Sequence, residues 1–254
     1  MNDDRNHRGF SLIEILVSIG IIAVLIGIAL PALSGARQRA RDVVGLSNLR
    51  QTGLVMESYV KSYDGWLPFA SEGTWFRITP REPPDALTSG IHWDLSNYWS
   101  SLFHEVAPWP EWFQVWTYPD PRRPGVEPWD VPGHDGPLYD GISSLRYSRA
   151  LFARPQIWEV GEMIEDRDSV LRGVRMNEVR FPSSKVSLFD GELCVRVRCD
   201  SELEAKRGML FLDGHAAQLA TGDAIEPVQG RMPYLGEPEP LHDTAGGAYG
   251  RDYP

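Results

Sequence analysis

Nineteen consecutive residues, Ile15 to Leu33, carry no charge and a single hydroxyl, that of Ser18. A bilayer core about 30 Å thick needs about 20 such residues in a helix, so a segment covering about residues 12–33 can span a membrane. It is longer than the apolar core of a secretory signal peptide, which runs to about 7–15 residues. Glu14 stands near the start of this run. An unpaired carboxylate in hydrocarbon costs roughly 2.5–3.5 kcal/mol or more, so Glu14 calls for a partner. The plainer alternative is an ordinary single-pass anchor with Glu14 in the interfacial layer.

Helical character continues beyond the apolar run. Ala36, Ala40, Val43, Val44, Leu46, Leu49, Leu54, Val55 and Tyr59 recur at spacings near three and four, with Arg37, Arg41, Arg50 and Lys61 among them. After Pro31 the next proline is Pro68, and Asp64-Gly65 is a plausible stop. The spacing predicts a helix over 10–64, about 80 Å long at about 1.5 Å per residue. Its first half is apolar all round and its second half amphipathic. Pro31 should kink it, because proline removes a backbone donor and crowds the preceding turn. A break near Ser34-Gly35, giving an anchor and a separate helix, is the alternative.

The run Gly9-Phe10-Ser11-Leu12-Ile13-Glu14, with Pro31 beyond it, resembles the amino terminus of type IV pilins and type II secretion pseudopilins. The resemblance covers about the first sixty residues. It implies that residues 1–9 are a leader cut after Gly9 by a prepilin peptidase on the cytoplasmic side. Phe10 then becomes the N-methylated first residue and Glu14 the acid of the motif. Glu14 of one subunit can neutralise the terminal amine of its neighbour in a filament, which removes the cost of burying either charge alone. The implied partners are the peptidase, an assembly platform with its ATPase, copies of the chain or other pilin-like subunits, and the lipid bilayer before assembly. The resemblance also implies a single-pass inner-membrane subunit with its carboxy-terminal domain outside the cytoplasm, later a periplasmic or surface filament. Arg37, Arg39 and Arg41 run against that orientation, since clustered positive charge favours the cytoplasmic side.

The expected fold class is α+β: a long helix, membrane-spanning in its first half, packed by a small antiparallel sheet in a pilin-like head over 65–222. Within the head, 75–137 is an insertion rich in tryptophan and proline. Trp75, Trp93, Trp99, Trp109, Trp112, Trp116 and Trp129 lie there, and the prolines exclude long helices and central strands. These aromatics either form a binding surface for glycan or partner or pack the loops as a satellite core. Val174–Phe181, Ser184–Phe189, Leu193–Cys199, Met209–Leu212 and Ala216–Leu219 read as strands, with turns at Asp190-Gly191 and Asp213-Gly214. Arg207 to His215 resembles the processing-associated ending of a pilin-like group, but Leu203 stands where that group has a histidine. The Pro/Gly-rich residues 223–254 are expected to be an extended or disordered tail.

A formal charge of −10 and a pI near 5.1 argue against a nucleic-acid-binding surface. His92, His104, His134, His215 and His242 show no metal-ligand spacing, and no nucleophile elbow or phosphate loop is present. Asp213-Gly214-His215 therefore reads as a hairpin turn rather than a catalytic or metal site, and no cofactor is expected. Calcium could use the acidic turns Asp135-Gly136, Asp140-Gly141 and Asp190-Gly191, but six to eight converging oxygens are not supplied locally. Cys194 and Cys199 on one extended run would stand about 16 Å apart, beyond disulfide reach unless the run folds back. Two free thiols are expected. The reading is a non-catalytic filament subunit; the rivals are a membrane-tethered binding module that uses the aromatic insertion, and a tethered enzyme.

Overall fold

Residues 12–62 of the computed structural model form one α-helix, α1 (Leu12–Ser62), with Pro31 inside it and no interruption at Ser34-Gly35. The structure describes residues 12–69, 75–77, 87–89, 95–103, 106–107, 115–116, 145–166, 169–190, 206–232 and 238–254. The chain divides into two compact units, Met1–Asp42 and Val43–Pro254. α1 ends as its sequence demands: Asp64 and Gly65 both adopt left-handed backbone, at φ 51° and 82°. The Gly65 N–H reaches back to the Val60 carbonyl at 2.8 Å, satisfying a helix-end acceptor.

The second unit is α+β. β1 (Trp75–Arg77) and β2 (Leu87–Ser89) form a two-stranded ladder, and α2 (Leu95–Tyr98) follows. The main sheet contains β3 (Leu145–Tyr147), β4 (Val186–Asp190), β5 (Lys206–Phe211) and β6 (Ala216–Ala220), antiparallel and in that order. β5 and β6 are joined through Asp213-Gly214, where Gly214 has φ 88° and the Asp213 carboxylate accepts the His215 N–H. The expected strand Val174–Phe181 is corrected. It forms only an isolated bridge from Arg175 to Trp66 and a 3₁₀ turn at Met176–Glu178, because its backbone ties down the end of α1. Leu193–Cys199, both cysteines included, lies outside the described residues.

Both faces of this sheet are covered. Leu145, Tyr147, Leu188 and Leu210 join the core that also holds Leu49, Val55, Met56 and Tyr59 of α1. Val186, Phe189, Met209 and Phe211 pack on the other side with Leu241 and Tyr253. Alternation along β5 explains Met209, Leu210 and Phe211. In β4 the register shifts between Val186 and Leu188, so Val186 opposes Phe211 while Leu188 opposes Leu210. This bulge turns two residues of like parity to opposite faces. Ser187, buried at the bulge, donates its hydroxyl to the Leu210 carbonyl at 3.0 Å.

The expectation of an extended or disordered tail is corrected by the same layer. Leu241, His242, Asp243, Thr244, Asp252 and Tyr253 are all buried. The Asp252 N–H donates to Ser184 at 2.8 Å, and the Tyr253 hydroxyl donates to the Ala220 carbonyl at 3.0 Å. Apolar side chains on the outer sheet face need cover, and this segment supplies it.

Candidate functional site

The candidate site is the first half of α1, and its defining property is exposure. The apolar window of the helix is wholly unburied, with Leu12 80% and Leu25 60% exposed, and it is long enough to cross a membrane. A helix apolar on every side is stable only in lipid or inside a bundle. Glu14 sits in the first helical turn, and its backbone carbonyl accepts the Ser18 hydroxyl at 2.7 Å. Ser34 donates to the Pro31 carbonyl at 2.8 Å, one turn later. Gly9 and Phe10 lie outside the described residues.

The second half of α1 fastens the head. Gly45, Leu49, Thr52, Val55, Met56 and Tyr59 are buried, at the three-and-four spacing of a single helical face. A Cβ on Gly53 would lie 3.1 Å from a Leu210 methyl, so glycine lets the helix approach β5 closely. Burial raises the Tyr59 phenol to about 12, with Tyr63 adding to the shift. A groove of about 400 Å3 lies between α1 and the β5–β6 turn, rimmed by Arg50, Glu57 and Asp213.

Elsewhere in the head, ionisable groups are used to hold structure. Lys185 donates to Thr244 at 2.8 Å and to Asp252 at 3.0 Å. Arg149 pairs with Glu239 at 2.8 Å and Asp243 at 3.6 Å. The Trp158 indole N–H donates to Asp243 at 3.0 Å, and the His242 Nδ1 accepts the Arg149 N–H at 3.2 Å. Burial pushes His242 well below the ordinary imidazole range, helped by Arg149, Arg146 and Lys185. Burial also raises Asp243, against the pull of Arg149.

The amino-terminal segment matches a family described as the prokaryotic N-terminal methylation motif, over residues 4–30. It is also 44% identical over 55 residues to the type IV wide pilus major component PilA4 of Thermus thermophilus. The chain carries a type IV pilin-like amino terminus. That match covers 22% of this chain and 42% of the relative, so less than half of the relative's length is matched. No solved structure matches the chain.

Beyond this pilin-like segment, the other sequence candidates divide. Asp213 and His215 form the tip of the β5–β6 hairpin, with Oδ1 to Nδ1 at 2.6 Å and His215 stacked on Phe211. His242 is buried in the carboxy-terminal layer. His92, His104, His134, Asp135-Gly136, Asp140-Gly141 and Gly191 lie outside the described residues, while Asp190 ends β4. Trp99 and Trp116 are buried and meet edge to face, and Trp99 donates to the Leu145 carbonyl at 2.8 Å. These two act as core and are withdrawn from any binding surface. Sequence reasoning missed the contacts Lys185–Asp252 and Arg149–Asp243, whose partners lie far apart along the chain.

Proposed function

We propose that the chain is a non-catalytic subunit of a filament of the type IV pilus or type II secretion kind. A prepilin peptidase removes residues 1–9 between Gly9 and Phe10, and Phe10 is N-methylated. The exposed apolar helix first holds the subunit in the cytoplasmic membrane with its head outside the cytoplasm. An assembly platform and its ATPase then draw it into a bundle with copies of itself or other pilin-like subunits. Glu14 neutralises the Phe10 amine of a neighbour and sets the register.

The observation that carries this reading is an apolar helical segment with every face exposed, most of it inside the match to the methylation motif over residues 4–30. Such a surface must be covered, and parallel copies of the same helix cover it without loss of membrane compatibility. The test is the intact mass and amino-terminal sequence of membrane-extracted protein, with and without the peptidase. A chain beginning at methylated Phe10 is expected only when the peptidase is present. Glu14→Leu should then abolish filament incorporation while leaving membrane insertion intact. A chain that keeps Met1 in both strains would overturn the reading.

A further inference from the structure

Three arginines follow the apolar segment: Arg37 and Arg39 are exposed and Arg41 is half-buried. Counting from Leu33 at about 1.5 Å per residue, they stand about 6, 9 and 12 Å beyond the last leucine of the span. The headgroup layer on each side of a bilayer is about 5–8 Å deep. Helical side chains tilt toward the amino terminus, here toward the membrane, and arginine reaches further along its methylene stem. At about 100° per residue Arg37 and Arg41 share one face and Arg39 takes the opposite one. The three guanidiniums therefore surround the helix at the level of lipid phosphate.

On the membrane side of them, nothing nearby on this helix balances their charge. From Ile15 to Arg41 there is no carboxylate. Asp42 follows, and it accepts a hydrogen bond from Gln38 at 3.0 Å. Among the described residues none of the three arginines forms an ion pair with another side chain. A parallel neighbour in the bilayer would set the same three cations at the same depth, adding repulsion. Phosphate is the group of opposite charge that the bilayer itself supplies there.

We propose that Arg37, Arg39 and Arg41 form a collar that binds anionic phospholipid headgroups of the leaflet on the head's side. The inference needs only that the apolar span lies in a bilayer. It is independent of leader cleavage and of Glu14, so its failure and the failure of the filament reading are separate results.

The test is native mass spectrometry of the full chain in neutral detergent, titrated with phosphatidylglycerol or phosphatidylcholine. Phosphatidylglycerol should bind tighter by on the order of tenfold or more, since each arginine near an anionic surface contributes about fivefold. The preference should weaken as salt rises. Replacing all three with Gln should bring the two lipids within about twofold, with helix content by circular dichroism unchanged, while Arg50→Gln keeps the preference. Equal binding of both lipids by the parent chain would overturn the collar, as would a triple variant that keeps its preference. Displacement by glycerol phosphate at equal concentration would also overturn it, by showing a free-anion site.

Discussion

Lys185 and Asp252 form an ion pair of 3.0 Å in which neither side chain is more than 1% exposed. The pair joins the residue before β4 to the third residue from the end of the chain. Asp252 also accepts the Val186 N–H at 2.7 Å, and Thr244 contacts both charged groups. Burial pulls the Lys185 ammonium below its usual range, and Asp252 opposes that pull. A buried pair of this kind fixes a unique docking position more than it adds net stability.

Breaking the pair should therefore be worse than removing it. Asp252→Ala strands a buried ammonium and should cost about 3–5 kcal/mol. Lys185→Met alone strands the carboxylate, which keeps its Val186 and Thr244 contacts, and should cost less. The double variant Lys185→Met/Asp252→Leu should be more stable than Asp252→Ala. Equilibrium urea unfolding of the detergent-solubilised chain measures all three; losses that simply add would refute the coupling.

The pair also marks where sequence stops being readable. α1 was legible because an apolar run and then a three-and-four pattern leave few alternatives. β5, β6 and their turn were legible because Asp213-Gly214 separates two short apolar runs. β3 was not, since a three-residue strand owes its position to remote side chains: Ser96 donates to the Tyr147 carbonyl and Trp99 to that of Leu145. The carboxy-terminal layer was misread because its Pro/Gly content matches disorder, while its anchors are single residues paired across as many as 93 positions. One signal did exist. Val186–Phe189 and Met209–Phe211 are apolar on both faces, which requires a second covering layer. The amino-terminal motif was legible for a different reason: the matching residues, 4–30, are contiguous in the chain.

Acid should loosen the carboxy-terminal layer through His242. Its folded pKa lies well below its ordinary 6.5, so the unfolded chain binds the extra proton first. Stability from this group is complete above pH 6.5 and is lost as pH falls toward the depressed value, at up to about 1.4 kcal/mol per pH unit. Asp243 is raised above its ordinary 3.8, so it acts with the opposite sign. His242→Asn keeps an acceptor for the Arg149 N–H and should flatten the slope between about pH 6.5 and 5. Urea midpoints across that range decide it; a slope unchanged by the substitution would assign the effect elsewhere.

Two glycines should respond differently to alanine. At Gly53 the neighbour is a flexible Leu210 methyl at 3.1 Å, and helix propensity favours alanine by about 1 kcal/mol. Gly53→Ala should thus fall within about 1 kcal/mol of the parent, with Gly53→Val losing about 1–3 kcal/mol by overpacking. At Gly250 a Cβ would overlap the Ala245 backbone carbonyl oxygen, which cannot rotate away. Gly250→Ala should cost at least about 2 kcal/mol, as substitutions incompatible with the native backbone do. Thermal melts of the three variants compare them directly.

Ending the chain after Asp223 tests whether its last residues are a tail or a layer. Removal would uncover Val186, Phe189, Met209 and Phe211 and take away Leu241 and Tyr253, which pack against them. Losing the burial of those two side chains alone is worth about 3–6 kcal/mol, a large share of a typical domain's stability. It would also strand Lys185, whose buried amine loses both Thr244 and Asp252. The shortened chain should be protease-sensitive within the head while α1 keeps its helical signal. Trp158 provides a local reading, because its indole N–H donates to Asp243 and its near-ultraviolet dichroism should collapse. A dispensable tail would leave the melting curve and the Trp158 signal unchanged, and the two-faced burial of the sheet makes that outcome the one the fold forbids.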